Sequence, residues 1–505
     1  MFKVKVIILL SILLFSGSIY GQQDGSVLEK RVTIIQENQM LSVILDQLSW
    51  QAGVFFSYDA SVIDAEKKYS IEAANKSLFT VLNELLGNNK FKFSERENQI
   101  IISEIIHNQP IKENADSIPE KYFFLSGKIV DDKKGDPLPY TSVSLFNKPI
   151  GTISNTDGEF LLKIHPDNIH DTVIISCMGY KQIKLPGSKI LDEDLFVMKP
   201  VSIRIREVKV TATTPDKLLK NIRENIEKNY SSEIRLMTAF YRETVKQDKN
   251  YITISEAIIE ILKAPYTNTF RDDLVRLLKG RRSPDVQPFQ WLKFKLQGGP
   301  FTITKLDVIK NMESFVSEES EKYYKYDIKK VIWYNNNPVF VLEFKPTSNE
   351  FFPLFVGEMY VHRETFAVVH AEFHINKEGL RKAESVMIKK KPRRVKAGPS
   401  YVKYEVNYQQ VKEKWYLANA KASVKIKVKS KRDNINSEFH SVSDLLVTNI
   451  KPTEIKRFTR NESIGQNDIF VELINGYDEK FWENYNIIKP DENLINAIKT
   501  ISPNE

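Results

Sequence analysis

The residues best suited by type to hold a metal are His362, His370, Glu372 and His374, since imidazole nitrogens and carboxylate oxygens are common zinc ligands. All four carry even numbers, so they share one strand face if the pairing through this stretch is continuous. Their spacing works against a shared ion. Residues i and i+4 on a strand lie about 13 Å apart at about 3.3 Å per residue, whereas each ligand atom approaches zinc to about 2.0–2.1 Å. His370 and His374 therefore cannot both reach one metal, and only an i, i+2 pair helped by a neighbouring strand would serve. The chain has no H-E-x-x-H, no H-x-x-E suited to a metallocarboxypeptidase, no G-x-S-x-G and no phosphate loop ending in Lys-Ser/Thr. The single Cys177 stands beside Ile174 and Ile175, reads as a small buried hydrophobe and has no evident His partner. These observations assign no catalytic residue, no metal ligand and no cofactor, so the chain reads as a non-enzyme. An unrecognised hydrolase, with His or carboxylates gathered in a cleft, stays open as an alternative.

The densest run of charge is KKKPRRVK, with Lys389, Lys390, Lys391, Arg393, Arg394 and Lys396. It reads either as a contact with anionic lipid or lipopolysaccharide phosphate, worth about 1 kcal/mol per basic residue, or as a solvated hairpin tip beside Pro392, Gly398 and Pro399. The formal net charge of +8 over 505 residues is a mild bias.

The compartment is legible at the N-terminus. Lys3 and Lys5 precede an apolar run from Val6 to Phe15, then Ser16, Gly17, Ser18 and Gly21, which predicts a secretory signal peptide over residues 1–21. The run is about half of the roughly 20 apolar residues that span a bilayer. No Cys follows it, so a lipoprotein anchor is not expected, and no later window is long and apolar enough for a transmembrane helix. The chain is thus expected to be exported and periplasmic or associated with the outer membrane. Nucleic acid is not an expected partner there; anionic lipid, glycolipid or an acidic protein face is. With one Cys there is no intramolecular disulfide, so packed cores must supply stability.

At 505 residues the chain is too long for one core. Its 42% hydrophobic and 27% charged residues are ordinary globular composition, which excludes wholesale disorder. Residues 31–104 predict a strand at Val32 and Ile34, a turn at Gln36–Asn38, and a helix with Leu41, Ile44, Leu45 and Leu48 on one face, stopped by Gly53. Two short strands come next, then a helix capped by Ser77 and ended by Gly87, then a hairpin around Arg96–Asn98. This β-α-β-β-α-β-β order, with the L-x-x-I-L-x-Q-L-S-x-Q-A-G-V-x-F-S-Y and S-L-x-x-V-L-x-x-L-L-G runs, resembles the short N-terminal domain of secretins and TonB-dependent transducers. That resemblance implies a periplasmic protein contact. A full TonB-dependent receptor is not expected, because a plug and a barrel do not fit in the residues after the sandwich.

Residues 105–121 are polar, hold Pro110 and Pro119, and read as a linker. Residues 122–199 have the punctuation of a small β-sandwich, with β-prone runs broken by Gly, Pro and Asp turns. Gly127, Pro137, Asp157, Gly158, Phe160, Gly179 and Tyr180 stand in the order G-x-I-V-D, D-P-L-P-Y, T-D-G-E-F, G-Y. This resembles the carboxypeptidase regulatory-like, prealbumin-like domain, an accessory module that carries no peptidase chemistry and would act as a spacer. Residues 200–215 form a connector.

Residues 216–505 predict a helix led by Pro215 and then mainly strands: 238–245, 251–261, 324–334, 339–344, 358–362, 367–375, 401–409, 414–418 and 423–429. In the last of these Lys425, Lys427 and Lys429 alternate with Val424, Ile426 and Val428, the mark of a sheet with one wet and one buried face. A closing helix is expected within 470–499. The fold class expected is multidomain: an α+β unit, a small sandwich, and a large mainly antiparallel β domain with a few helices. The G-E-M-Y-V-H-R-E-T-F-A-V-V strand pair is similar to the repeating unit of the outer-membrane lipoprotein-carrier half-barrel, whose apolar side holds acyl chains. Phe289, Trp291, Phe294, Phe301, Phe351, Phe352, Phe355 and Trp415 would line such a side, or serve as plain core. Together with YRE at Tyr241–Glu243 and the FWENYN run, the whole resembles a family of secreted envelope proteins bearing regulatory-like domains. Two functions are expected on these grounds: an envelope interaction protein linked to TonB-dependent transport or its signalling, and a periplasmic carrier of lipid or lipoprotein.

Overall fold

A computed structural model describes residues 26–501 apart from 59–62, 64–66, 88–89, 97–98, 105–121, 192–193, 202–212, 284–298, 320, 348–353, 388–394, 432–434, 461, 467, 469, 475–481 and 483–484. The expected signal peptide and linker lie outside the described residues. Two compact units divide the chain, Met1–Pro119 and Glu120–Glu505.

The first unit runs β1 (Arg31–Met40), α1 (Leu41–Ala52), β2 (Phe55–Tyr58), β3 (Lys68–Ser77), α2 (Leu78–Leu86), β4 (Phe91–Arg96) and β5 (Gln99–Glu104). Helix α1 buries Leu41, Ile44, Leu45, Leu48 and Ala52, one face of the 3.6-residue period, and ends where Gly53 turns left-handed at φ 69°. Ser77 caps α2 by accepting the Thr80 N–H at 3.2 Å. Strands β1 and β3 pair antiparallel, while β2 joins β5 in parallel beside the β4–β5 hairpin. The turn expected at Gln36–Asn38 is instead part of β1. There the register against β3 shifts between Gln36 and Gln39, and Asn38 takes φ 51°, so a bulge absorbs the turn residues.

The second unit opens with the sandwich: β6 (Phe123–Asp131), β7 (Ser142–Leu145), β8 (Gly151–Ile153), β9 (Glu159–Ile164), β10 (Thr172–Ser176), β11 (Ile183–Pro186), the short α3 (Gly187–Ile190) and β12 (Leu195–Met198). Its sheets run β11-β10-β7-β8 and β12-β6-β9, enclosing Leu125, Ile129, Val143, Phe160, Val173 and Phe196.

Next come α4 (Pro215–Glu224), α5 (Ile226–Asn229), β13 (Arg235–Gln247), β14 (Asn250–Lys263), β15 (Leu274–Arg282), α6 (Gly299–Thr304), β16 (Tyr324–Tyr334), β17 (Asn337–Pro346), β18 (Phe355–His362), β19 (Val368–Ile375), α7 (Lys377–Met387), β20 (Lys396–Val411), β21 (Lys414–Ser430), β22 (Ile435–Pro452), β23 (Ser463–Ile464) and α8 (Glu492–Ile501). Ten long strands and β23 form one antiparallel sheet in the order β16-β17-β18-β19-β20-β21-β22-β13-β14-β15-β23. The last long strand thus closes on the first. Asn335 and Asn336 both have positive φ, as a two-residue hairpin between β16 and β17 requires. Strands β15 and β22 and helix α7 were not among the expected elements, and β21 is continuous where two strands were expected. In place of one closing helix there is a helical turn at Phe470–Leu473 and α8 at Glu492–Ile501.

One face of the sheet is apolar and is covered by the chain itself. Leu218, Leu219 and Ile222 of α4, Ile303 of α6, and Val308, Ile309, Phe315 and Val316 after it pack on Leu342, Phe344, Met359, Phe373 and Val406. Phe315 stacks on Phe344 with centroids 4.1 Å apart. Of the aromatics singled out, Trp415 is buried in this core and Phe301 and Phe355 pack against it; Phe289, Trp291, Phe294, Phe351 and Phe352 lie outside the described residues.

Candidate functional site

The opposite face carries charge in register. Each residue in the series Asp327, Glu343, Glu358, Glu372, Glu405, Lys421, Asp444, Arg242, Glu256, Arg281 sits directly across from the next, from β16 to β15. One line of side chains crosses the sheet. Like charges directly opposite each other destabilise a sheet, and neighbouring basic residues offset much of this. Lys329 reaches Glu343 at 3.0 Å, and Lys403 bridges Glu372 at 3.0 Å and Glu405 at 2.9 Å.

The second half of the line is roofed by the sandwich. Arg242 donates to Glu256 at 2.7 Å and to the Ile488 carbonyl at 2.8 Å, while Arg281 holds the other Glu256 oxygen at 2.8 Å and lies over the Trp482 ring. Burial pushes the Glu256 carboxyl up, but the two guanidiniums outweigh it and leave the group below its usual value. Ile153 of the sandwich, Phe240, Ile258 and Leu446 of the sheet, and Trp482, Ile487 and Ile488 of the C-terminal segment form one apolar cluster. Lys163 donates to the Trp482 carbonyl, and Asn486 both accepts from the Lys163 N–H at 2.7 Å and donates to its carbonyl at 3.0 Å.

The sandwich motif acts in this interface. Asp157 accepts the Glu492 N–H at 3.0 Å, and the preceding Asn155 donates to the Pro490 carbonyl at 3.2 Å. Gly158 is at φ +78°, and a Cβ there would stand 2.5 Å from the Ile129 carbonyl and 3.2 Å from Pro137. Gly127 lies under Phe196, which packs on Phe160 with centroids 5.6 Å apart. The Gly179 N–H donates to the Trp333 carbonyl of the large sheet at 3.1 Å, and the Tyr180 hydroxyl donates to Asp131 at 3.1 Å. The sandwich, expected to act as a spacer, is docked on the sheet, within one compact unit.

A second buried network lies on the apolar face. Lys263, 1% exposed, reaches Asp273 at 2.7 Å and Asp307 at 2.6 Å, and Asp307 also accepts from the Tyr266 and Tyr408 hydroxyls at 2.9 and 2.7 Å. Burial pushes Asp307 up and Lys263 beside it prevails, so it ends below its usual range. This network is closed in the core and joins β14, β20 and the segment after α6. The YRE residues divide between the faces. Arg242 serves the charged line, while the Tyr241 hydroxyl donates to Glu243 at 2.7 Å on the apolar side, where burial pushes the Glu243 carboxyl up.

The four metal candidates do not converge. His370, Glu372 and His374 share one face in unbroken register with Tyr360, Glu358 and Val356, and the register of β18 on β19 shifts only between Tyr360 and Val361, before His362. His362 Nδ1 accepts the Glu364 and Thr365 N–H groups at 3.3 and 3.2 Å and so folds its own turn. His370 bonds Asn407 at 2.7 Å, Glu372 takes Lys403, and His374 lies opposite Lys403. Among the described residues no group of three or more His, Cys, Asp and Glu is placed to hold a metal ion. Burial pushes the Cys177 thiol up, away from a nucleophilic thiolate.

Two exposed surfaces lie apart from these networks. On the first unit Val43 and Trp50, seven residues apart on α1, share a helix face, and Trp50 is 87% exposed; Phe55, on the edge strand β2, is 72% exposed. On the second unit Lys396 opens β20. Lys389, Lys390, Lys391, Arg393 and Arg394 lie outside the described residues. The helix stripe was legible only as the polar side of α1, since Trp50 falls off the apolar period.

Residues 125–210 match the family model described as the CarboxypepD_reg-like domain. No curated protein matches the chain in sequence. Among solved structures, the chain is similar to a putative outer membrane lipoprotein-sorting protein domain from Vibrio parahaemolyticus, with 12% identity over 48% of this chain and 95% of that one, at TM-score 0.22. It is also similar to a DUF1329 family protein from Desulfovibrio piger, with 11% identity over 49% and 96%, at TM-score 0.22, and to a LolA superfamily protein from Nitrosomonas europaea, with 12% identity over 50% and 99%, at TM-score 0.20. Likeness at these scores carries no argument about function. No helix among the described residues is long and apolar enough to cross a membrane. The chain carries, at residues 125–210, a carboxypeptidase regulatory-like domain.

Proposed function

We propose that this chain is a non-enzymatic interaction protein of the cell envelope, exported by its N-terminal segment. Residues 31–104 act as a secretin/TonB-type short domain that contacts an envelope protein, and Glu120–Glu505 is a compact unit with a recognition surface of its own. The observation that carries the reading is the Trp50 indole held 87% in solvent on the outer face of α1, with Val43 two turns away. Tryptophan is enriched at binding hot spots because a large apolar body is desolvated on contact. A photo-crosslinking residue placed at 50 or 43, in cells, is expected to trap one and the same envelope protein, and the same residue at exposed Glu72 on β3 is expected not to. Equal trapping at all three positions, or none at 50, overturns the reading.

A carrier of lipid or lipoprotein is the second reading, supported by the extent of the antiparallel sheet. It requires room on the apolar face, where Phe315, Val308 and Ile309 now pack, so cargo would have to displace the segment after α6. Lipid extracted from the purified chain at near one-to-one stoichiometry would favour the carrier; its absence favours the first reading.

A further inference from the structure

A cavity of about 430 Å³ opens on the charged face where β20, β21 and β22 lie side by side. Small-molecule sites usually measure about 300–1,000 Å³. Register builds its floor. Tyr401 of β20 and His440 of β22 both sit directly across from Lys425 of β21, and two residues along β21 the same strands place Gly398 and Glu438 across from Lys427. Gly398 brings no side chain to this second row. Between the rows β20 bulges, its register against β21 shifting between Pro399 and Tyr401, and Ser400 takes a place in the wall.

The groups of the wall are bonded to one another without being used up. Ser423 Oγ lies 2.8 Å from His440 Nε2. Burial, then Lys425 and Lys246, push this imidazole below its usual value, so it is neutral and has one nitrogen that donates and one that accepts. Glu438 meets Lys425 at 3.4 Å and accepts the Ser400 hydroxyl at 3.3 Å, whereas Lys403 meets its two acids at 3.0 and 2.9 Å. Charge-assisted hydrogen bonds run at about 2.7–2.9 Å, so the Glu438 contacts are loose and leave the carboxylate open to a better donor. Lys427 is exposed and forms no ion pair among the described residues. Tyr401 is 40% exposed, and among the described residues its hydroxyl makes no hydrogen bond.

This wall discriminates between ligand classes. A bare phosphate would face the Glu438 carboxylate and fill little of the volume. An acyl chain would meet one ring and otherwise ammonium, carboxylate, hydroxyl and imidazole groups, which it cannot satisfy. A sugar ring satisfies all of them. Each of its hydroxyls both donates and accepts, so neighbouring hydroxyls serve an acid and a lysine side by side, and its carbon-bound hydrogens offer an apolar face to the Tyr401 ring.

We propose that the cavity between β20, β21 and β22 is a saccharide-binding site, with Tyr401 as the stacking platform and Glu438, Lys425 and Lys427 holding ring hydroxyls. This goes beyond the protein contact assigned to residues 31–104, and the two fail separately, because position 50 lies in the other unit.

The test is saturation-transfer NMR of the purified full chain with cellobiose, lactose, chitobiose and digalacturonic acid, followed by titration of any that binds. At least one is expected to receive saturation from wild type, most strongly at its ring C–H protons. Tyr401→Ala is expected to bind that sugar about 10-fold more weakly, the worth of one stacked ring, and Glu438→Gln is expected to weaken it as well. As a control, Phe270→Ala removes a ring that is 99% exposed in the loop between β14 and β15, outside the cavity, and is expected to keep wild-type binding. Unchanged melting temperatures verify that the variants are folded. The proposal is overturned if none of the four sugars receives saturation from wild type, if Tyr401→Ala binds as wild type does, or if Phe270→Ala loses as much as Tyr401→Ala, which would leave only unspecific stacking on exposed rings.

Discussion

Glu313 lies in the segment that covers the apolar face, between Met312 and Ser314, with Tyr324 and Tyr404 close enough to feel its charge. Burial desolvates its carboxyl, the one backbone N–H it meets is that of Ser314, and its pKa is pushed from 4.5 up to about 7. A carboxyl with a raised folded-state pKa favours the folded state fully below about pH 4.5 and loses that contribution as pH rises to about 7. The unfolded chain ionises over this window and the folded chain does not. The shift of about 2.5 units corresponds to about 3 kcal/mol, at about 1.4 kcal/mol per unit, as an upper bound. Glu313→Gln carries no titrating group, so relative to wild type it is expected to gain stability across that window. The two proteins should be separated by up to about 3 kcal/mol more at pH 8 than at pH 4. Urea unfolding followed by tryptophan fluorescence measures this. A Trp50→Phe background restricts the signal to the second unit, because Trp291, Trp333, Trp415 and Trp482 all belong to Glu120–Glu505. Parallel pH profiles for wild type and variant would refute the assignment of a buried, neutral carboxyl at this position.

The remaining predictions concern the packing of the second unit. Gly158→Ala places a Cβ 2.5 Å from the Ile129 carbonyl at a left-handed φ of +78°, so a loss of about 1–3 kcal/mol is expected, read as a lowered melting temperature; Gly135→Ala, also at positive φ but with open space around it, should cost less. Lys263→Met leaves the buried Asp273 and Asp307 without their cation and is expected to cost about 3–5 kcal/mol. Double substitution with Asp307→Asn should recover part of that loss in the same melts, and full additivity of the two would count against a shared network.

Much of the first unit was readable because its signals are local. Gly53 and Ser77 are end markers a few residues from the helices they bound, and Leu41, Ile44, Leu45 and Leu48 state their own period. The alternation of Lys425, Lys427 and Lys429 likewise announced a strand with a wet face. Strand β22 was missed because Ser437, Ser441 and Ser443 occupy face positions where a strand normally shows its apolar residues. The stretch Ala418–Ala422 reads as a break because alanine and asparagine are poor strand formers, yet pairing with β20 and β22 on both sides holds it in β21. The charged line from Asp327 to Arg281 could not be read at all, because each member comes from a different strand and only register aligns them. Similarly, the neighbours of the candidates at His370 and Glu372 could not be read along their own strand, because Asn407 and Lys403 come from β20.

The stitch between the sandwich and residues 482–492 also bears on how the chain comes to be folded. Asn155, Asp157 and Lys163 find their partners more than three hundred residues downstream. A chain that emerges N-terminus first must therefore present the sandwich long before its clasp exists. Until then the Glu256 site and its two arginines are open to water, and Ile153, Phe240 and Leu446 are uncovered. Closure is a late event of high contact order, and such events are slow. Until the clasp forms, the chain passes through a vulnerable interval with a sticky seam exposed. Anything that shields the chain in that interval would meet a seam that mixes arginine with bare aliphatic surface.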